Sequence, residues 1–148
     1  MADVDKRGEG WLFAEDAVIG SLLIDEKAAL AILAAVDAGG IQREKNRQIY
    51  QAARALTLAG LPVDPVLIRD KLGQGIEGHI LQLMEVTPTS ANWREYAEVM
   101  HQQAALARIR DIAAELTSCV SVDECREHIA ALGQVLDTGK GVDAWSMR

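Results

Sequence analysis

The stretch "AEDAVIGSLLID", Ala14 to Asp25, sets the frame for the fold. Ala14, Ala17, Val18 and Leu22 recur at the three- and four-residue steps of one helical face, and Ile19 and Leu23 widen it. Gly20 lies within the same helix, where glycine costs about 1 kcal/mol relative to alanine. Its use there points to close approach of a second helix. Asp25 ends the stretch with a side chain suited to cap the following helix, "EKAALAILAAV".

Outward from this point the chain reads as helix almost throughout, with no convincing strand. Ala and Leu dominate, β-branched runs are short, and apolar residues step by three and four rather than two. Gly39 and Gly40 are expected to stop the second helix. A third spans about Glu44 to Ala59 and buries Ile49, Ala52, Ala53 and Leu56, with Gly60 at the left-handed cap. Asp64 and Pro65 open a fourth, to Leu72. Gly73, Gly75 and Gly78 mark a loop before the short helix "HILQLMEV". "TPTSAN" then supplies a proline breaker and two cap candidates, Thr89 and Ser90.

From Ala91 to about Val120 no Gly or Pro interrupts the pattern, which predicts one helix roughly 45 Å long. Ser121 and Glu124 form a capping box for a return helix to about Leu136, so the last third reads as a helical hairpin. Val99, Gln102, Leu106, Ile109, Ala113, Leu116 and Val120 alternate three- and four-residue steps, a heptad seam with one polar break. Val122, Cys125, Ile129, Leu132 and Leu136 repeat the rhythm. A second row, Ala105, Ile109, Ile112, Leu116 and Cys119, widens the apolar face beyond one hairpin partner. That surplus is met either by a second chain or by the N-terminal helices. The fold class is therefore all-α: a flexible N-terminus (1–11), a helical bundle (12–88), a hairpin (89–137) and a linker or chain end (138–148).

Composition narrows the function. At 148 residues and 49% hydrophobic content the chain supports one ordinary core. A net charge of -7 opposes unaided binding to duplex DNA, because that affinity comes mainly from Lys and Arg neutralising phosphates. The charged start "MADVDKRGEGW" lacks the apolar core of a signal peptide, and no apolar run approaches the roughly 20 residues that span a bilayer, so a cytoplasmic protein without membrane contact is expected. Cys119 and Cys125 are expected as free thiols, too few for a disulfide framework or a zinc site.

No catalytic set emerges. His79, His101 and His128 fall on separate elements with no carboxylate at a telling spacing, and read as solvated or core-edge histidines. "GQVLDTGKG" resembles a phosphate loop only loosely: Gly133 and Gly139 are one residue too far apart, and Gly141 stands where a Ser or Thr is needed. Glu15 and Asp16, like Asp123 and Glu124, read as first-turn acids favoured by the helix dipole. Arg43, Lys45, Arg47 and Arg54 read as a solvated face. No catalytic, metal or cofactor-binding residue is assigned, and this chain is not expected to be an enzyme.

Three ordered blocks carry a resemblance. "AEDAVIGSLLID" resembles the "AE-x-x-V-L-G-x-L-L" opening of the N-terminal domain of DnaB-type replicative DNA helicases. "NRQIYQAARALTLAGLPVD" (Asn46 to Asp64) is similar to the family's "H-R-x-I-[FY]-x-A-[IM]-x-x-L-x-x-x-G-x-P-[IV]-D" segment. "LQLMEVTPTSANWREYAEVMHQQAALARI" (Leu81 to Ile109) is similar to its "L-x-x-L-x-x-x-x-P-[ST]-x-A-N-x-x-x-Y-A-x-[IV]-[IV]" block. The residues in register are Ala14, Glu15, Gly20, Leu22, Leu23, Gly60, Pro62, Asp64, Pro88, Ala91, Asn92 and Tyr96. Departures mark a divergent member: Asn46 for a common His, Leu67 for Thr, and Gly39, Gly40 and Ile41 where an aromatic precedes the third helix.

The resemblance implies an all-helical oligomerisation and interaction domain. Its hairpins pair subunits, three pairs form a collar, and primase or a helicase loader docks there during primosome assembly. Carried onto this chain, it makes Val99, Leu106, Ile109, Ile112, Ala113, Leu116, Ile129, Leu132 and Leu136 the subunit or partner contacts. ATP and Mg would belong to the motor domain, whose phosphate loop is absent from this sequence. The alternative reading is a stand-alone phage or mobile-element adaptor or inhibitor that binds a helicase or primase through the same fold.

Overall fold

A computed structural model describes the backbone of residues 2–146 and the side chains of residues 13–137. Seven α-helices are described: α1 (Ala2–Ile24), α2 (Glu26–Ala35), α3 (Glu44–Leu58), α4 (Pro65–Leu72), α5 (Glu77–Val86), α6 (Trp93–Thr117) and α7 (Val122–Ser146). Short 3-10 turns occupy Ala38–Gly40 and Gln74–Ile76, and there is no strand among the described residues. The all-α expectation holds. Helical backbone also runs through 2–11 and 138–146, stretches whose composition had favoured an extension and a linker; neither contains a proline to stop it.

The helix boundaries follow from local chemistry. Asp25 adopts extended backbone and its Oδ1 accepts from the amides of Lys27 (3.0 Å) and Ala28 (3.4 Å), capping α2. Asp64 does the same for α4, with Val66 N at 2.7 Å and Pro65 in the first turn. Gly60 takes φ +76°, the amide of Leu61 donates to Leu56 O (2.9 Å), and that of Gly60 to Thr57 O (3.0 Å). This paired closure ends α3 as expected.

Two boundaries differ from the sequence reading. α2 ends at Ala35, ahead of the glycines, because the chain turns extended at Val36 and buries Val36 and Ile41 in the core. The Tyr50 hydroxyl donates to the Val36 carbonyl, supplying a partner that a continuing helix would have given. Burial raises the Tyr50 phenol above its ordinary value. α5 begins at Glu77 and includes the exposed Gly78, since helix formation here buries His79, Ile80 and Leu83. That gain outweighs a glycine cost of about 1 kcal/mol.

The chain divides into two units, the first ending at Met100 and the second beginning at His101. The division falls within α6, because Trp93, Ala97 and Met100 of its first turns belong to the bundle core. In the first unit α1 packs against α2, α3 and α5, and α3 packs against α4. Val18, Ile19, Leu22, Ile32, Ile41, Ile49, Ile68 and Met100 are essentially inaccessible. The inward face read from the opening stretch is the face buried, except that Ala17 is only half-buried.

Gly20 lies where α1 meets the end of α5. A Cβ added there would stand 2.0 Å from Thr87 Oγ1 and 2.9 Å from Leu83 O. The expected close approach is thus present, and only a residue without a side chain permits it.

Candidate functional site: a buried polar network and an apolar hairpin

Among the described residues no three His, Cys, Asp or Glu side chains stand close enough to hold a metal ion. None of the described helices is long and apolar enough to cross a membrane. The polar chemistry of the first unit concentrates instead in a network joining α1, α3 and α5.

Glu15 is fully buried, on the same face of α1 as Val18, Ile19 and Leu22. Its carboxylate accepts from the Gln42 amide, from the Arg43 amide at 3.1 Å and from Asn46 Nδ2 at 2.8 Å. A buried carboxylate is tolerated when its lone pairs meet several donors. Asp16, next to it, accepts Arg43 Nη1 on both oxygens (2.9 and 2.8 Å) and Asn46 Nδ2 at 2.8 Å. Asn46 therefore gives both amide hydrogens to the two carboxylates. Its Oδ1 faces His79 Nε2 at 2.7 Å. Burial, followed by the Arg43 cation, lowers the His79 imidazole below its ordinary value, against an opposing effect of Asp16.

This corrects the sequence reading in three places. Glu15 and Asp16 are mid-helix because α1 starts at Ala2, so the dipole argument does not apply to them. His79 is a satisfied core histidine on Asn46. Arg43 is paired with Asp16 of α1, and Arg47 is engaged locally, donating to the Ile41 carbonyl (3.2 and 2.8 Å) and to Glu44 (2.8 Å). The available signal was a carboxylate on an apolar helical face, which must find donors, and an Asn sharing the Ile49 and Ala53 face of α3.

Pro88, Asn92 and Tyr96 are exposed, so their matches to the motif mark the linker and the start of α6 rather than core. Ser90, read as a cap, instead sends its hydroxyl to Asp25 Oδ2 at 2.7 Å.

In the second unit the arms of α6 and α7 meet where His128 Nδ1 lies 3.0 Å from Glu115 Oε2. Ser121 Oγ accepts the Glu124 amide (3.2 Å), and Glu124 Oε2 reaches back to the Val120 amide (2.9 Å), so the capping box forms with its return bond one residue earlier. Ile112 is fully buried within the chain itself. Ile109, Leu116 and Leu132 are half-buried, and Ala113 is exposed. Leu106 (37%), Ile129 (57%) and Leu136 (53%) keep large apolar side chains accessible, as does Val99 (41%) on the bundle part of α6.

This helical architecture agrees with three comparisons. Residues 11–102 match the family described as DnaB-like helicase N terminal domain, and the chain belongs to that family. Relatives include a replicative DNA helicase DnaB of Leifsonia xyli subsp. xyli, 26% identical over 113 residues, covering 72% of this chain and 25% of the relative. Another is the replicative DNA helicase DnaB of Mycobacterium leprae, 28% identical over 105 residues, covering 66% of this chain and 17% of the relative. The chain thus spans a quarter or less of these relatives' length. The crystal structure of the N-terminal domain of DnaB helicase from Mycobacterium tuberculosis superposes with a TM-score of 0.73 at 24% identity, covering 84% of this chain and 96% of that one. That likeness is one of fold.

Proposed function

We propose that this domain serves the assembly of a replicative DNA helicase. Copies pair through the α6 and α7 hairpin, three pairs build a collar, and the collar receives primase or a loading factor. Family membership supports the helicase setting. The observation that carries the pairing is the exposed apolar set Leu106, Ile129 and Leu136 on the two arms.

Magnitudes indicate the kind of contact. Fully burying one Leu or Ile gains roughly 1.5 to 3 kcal/mol. Half that gain for three residues on each of two copies is about 4 to 9 kcal/mol, against an association cost of at least about 4. Such a pair is concentration-dependent unless other residues, such as Val122, join it. Light scattering over a dilution series tests this. A dimer or larger assembly that dissociates on dilution is expected, together with binding to the helicase-interacting domain of a primase or to a loader. A strict monomer at high micromolar concentration overturns the reading. The -7 charge leaves negligible DNA binding by the domain alone at physiological salt.

A further inference from the structure

The single apolar seam read along α7 divides in two in the structure. Cys125, His128, Leu132 and Val135 are half-buried, on the side from which His128 meets Glu115 of α6. Val122, Ile129 and Leu136, seven residues apart, stay exposed at 68%, 57% and 53%. Arg126 and Gly133 each follow one of these by four residues, so all five share an outer stripe.

Gly133 is the anomaly in that stripe. Glycine is the weakest helix former after proline, and Gly20 of α1 is required because Thr87 stands against it. A Cβ added at Gly133 meets no neighbouring element or side chain within 4 Å, and the residue is exposed in the interior of its helix. Packing within one chain gives no reason for it. A missing side chain one turn from a large exposed one is, however, self-complementary under a two-fold axis: residue i meets j, and j meets i.

We propose, building on the pairing above, that the second copy lays its α7 antiparallel on this stripe, Ile129 of each chain seating on Gly133 of the other. The same register sets Leu136 of one copy on the aliphatic stem of Arg126 of the other, and brings that guanidinium toward the exposed Asp137 beside Leu136. Arg126 is available for this, because its 3.5 Å ion pair with Asp123 joins two exposed side chains and is weak in water. Parallel pairing does the opposite on each count. It sets Gly133 on Gly133 over a void and Arg126 beside Arg126. It also brings together two hairpin turns that each carry exposed Glu115, Asp123, Glu124 and Glu127.

The test compares dimer dissociation constants, from light scattering or sedimentation, of the wild type and Gly133→Leu. Leucine adds apolar surface, so an undifferentiated greasy face pairs more tightly, whereas a filled hole pairs more weakly. The expected result is weakening by at least about tenfold, with helical circular dichroism unchanged. Orientation is read by disulfide crosslinking in a Cys119→Ser, Cys125→Ser background. A mixture of Arg126→Cys and Leu136→Cys chains is expected to form the mixed dimer, and neither chain alone a crosslink to itself. Unchanged or tighter pairing of Gly133→Leu, or self-crosslinking of each chain, overturns the α7 contact while leaving the pairing itself intact. A monomeric wild type overturns both.

Discussion

His79 Nε2 donates to Asn46 Oδ1 at 2.7 Å, because both hydrogens of that amide are already committed to Glu15 and Asp16. The amide orientation thus selects the neutral imidazole tautomer with its proton on Nε2.

The first prediction is a pH dependence of stability. Burial holds His79 of the folded chain below its ordinary value of 6.5, with Arg43 and Lys45 also opposing its charge and Asp16 favouring it. As pH falls through 6.5 the unfolded chain takes up a proton that the folded chain does not, so stability is full above 6.5 and declines below it, until the lowered folded value is reached. Urea titrations at stepped pH should show this slope in the wild type. In His79→Gln, which keeps a donor but cannot titrate, it should be reduced.

The second concerns the carboxylate that the network converges on. Glu15→Gln puts an NH2 group where backbone amides or Asn46 now donate, leaving buried donors facing one another. A loss of about 3 kcal/mol in unfolding free energy is expected by chemical denaturation. An unchanged midpoint would mean that the carboxylate is not what holds the start of α3 to α1.

Gly20→Ala should be destabilising by about 2 kcal/mol despite alanine's better helix propensity, since its methyl meets both the Thr87 side chain and the Leu83 carbonyl. Thr87→Ala alone should cost under about 1 kcal/mol, because the Thr87 hydroxyl is buried without a partner and its removal offsets the lost methyl. The double variant should recover only part of the loss, as the backbone contact remains. Thermal melts of the three proteins check the order.

For the hairpin, Ile129→Asp and Leu136→Asp each place a charge on an accessible apolar position. Helical circular dichroism should be unchanged, while light scattering should show the assembly shifted to monomer at concentrations where the wild type is paired. Ile112→Asp is a different experiment: Ile112 is already buried in one chain, and its loss should appear as reduced stability.

Local signals in the sequence were those that short-range physics determines. Asp25, Gly60 and Asp64 terminate helices through bonds within a few residues, and the apolar steps of α1 and α3 predict their buried faces. Glu15 was misread because its donors lie 27 to 31 residues away, beyond any helical repeat. α2 stops early where Val36 and Ile41 turn into the core, and the freed Val36 carbonyl is met by a hydroxyl 14 residues further on. The hairpin residues show the same divide: the heptad rhythm placed them on arms, but which ones remain accessible depended on packing that periodicity does not encode.

Asp25 has a last consequence. One of its oxygens caps α2, while the other accepts from Ser90, 65 residues later and just ahead of α6. The Ser90 bond is the largest of the effects that lower this carboxyl below its ordinary 3.8, so the stabilisation is present above that value and lost as acid protonates the folded group. One proton therefore releases two joints together. Protection against amide hydrogen exchange, relative to the unstructured rate at each pH, should fall in concert at the first turn of α2 and at the segment leading into α6 on acidification, as one cooperative opening rather than as two separate frays.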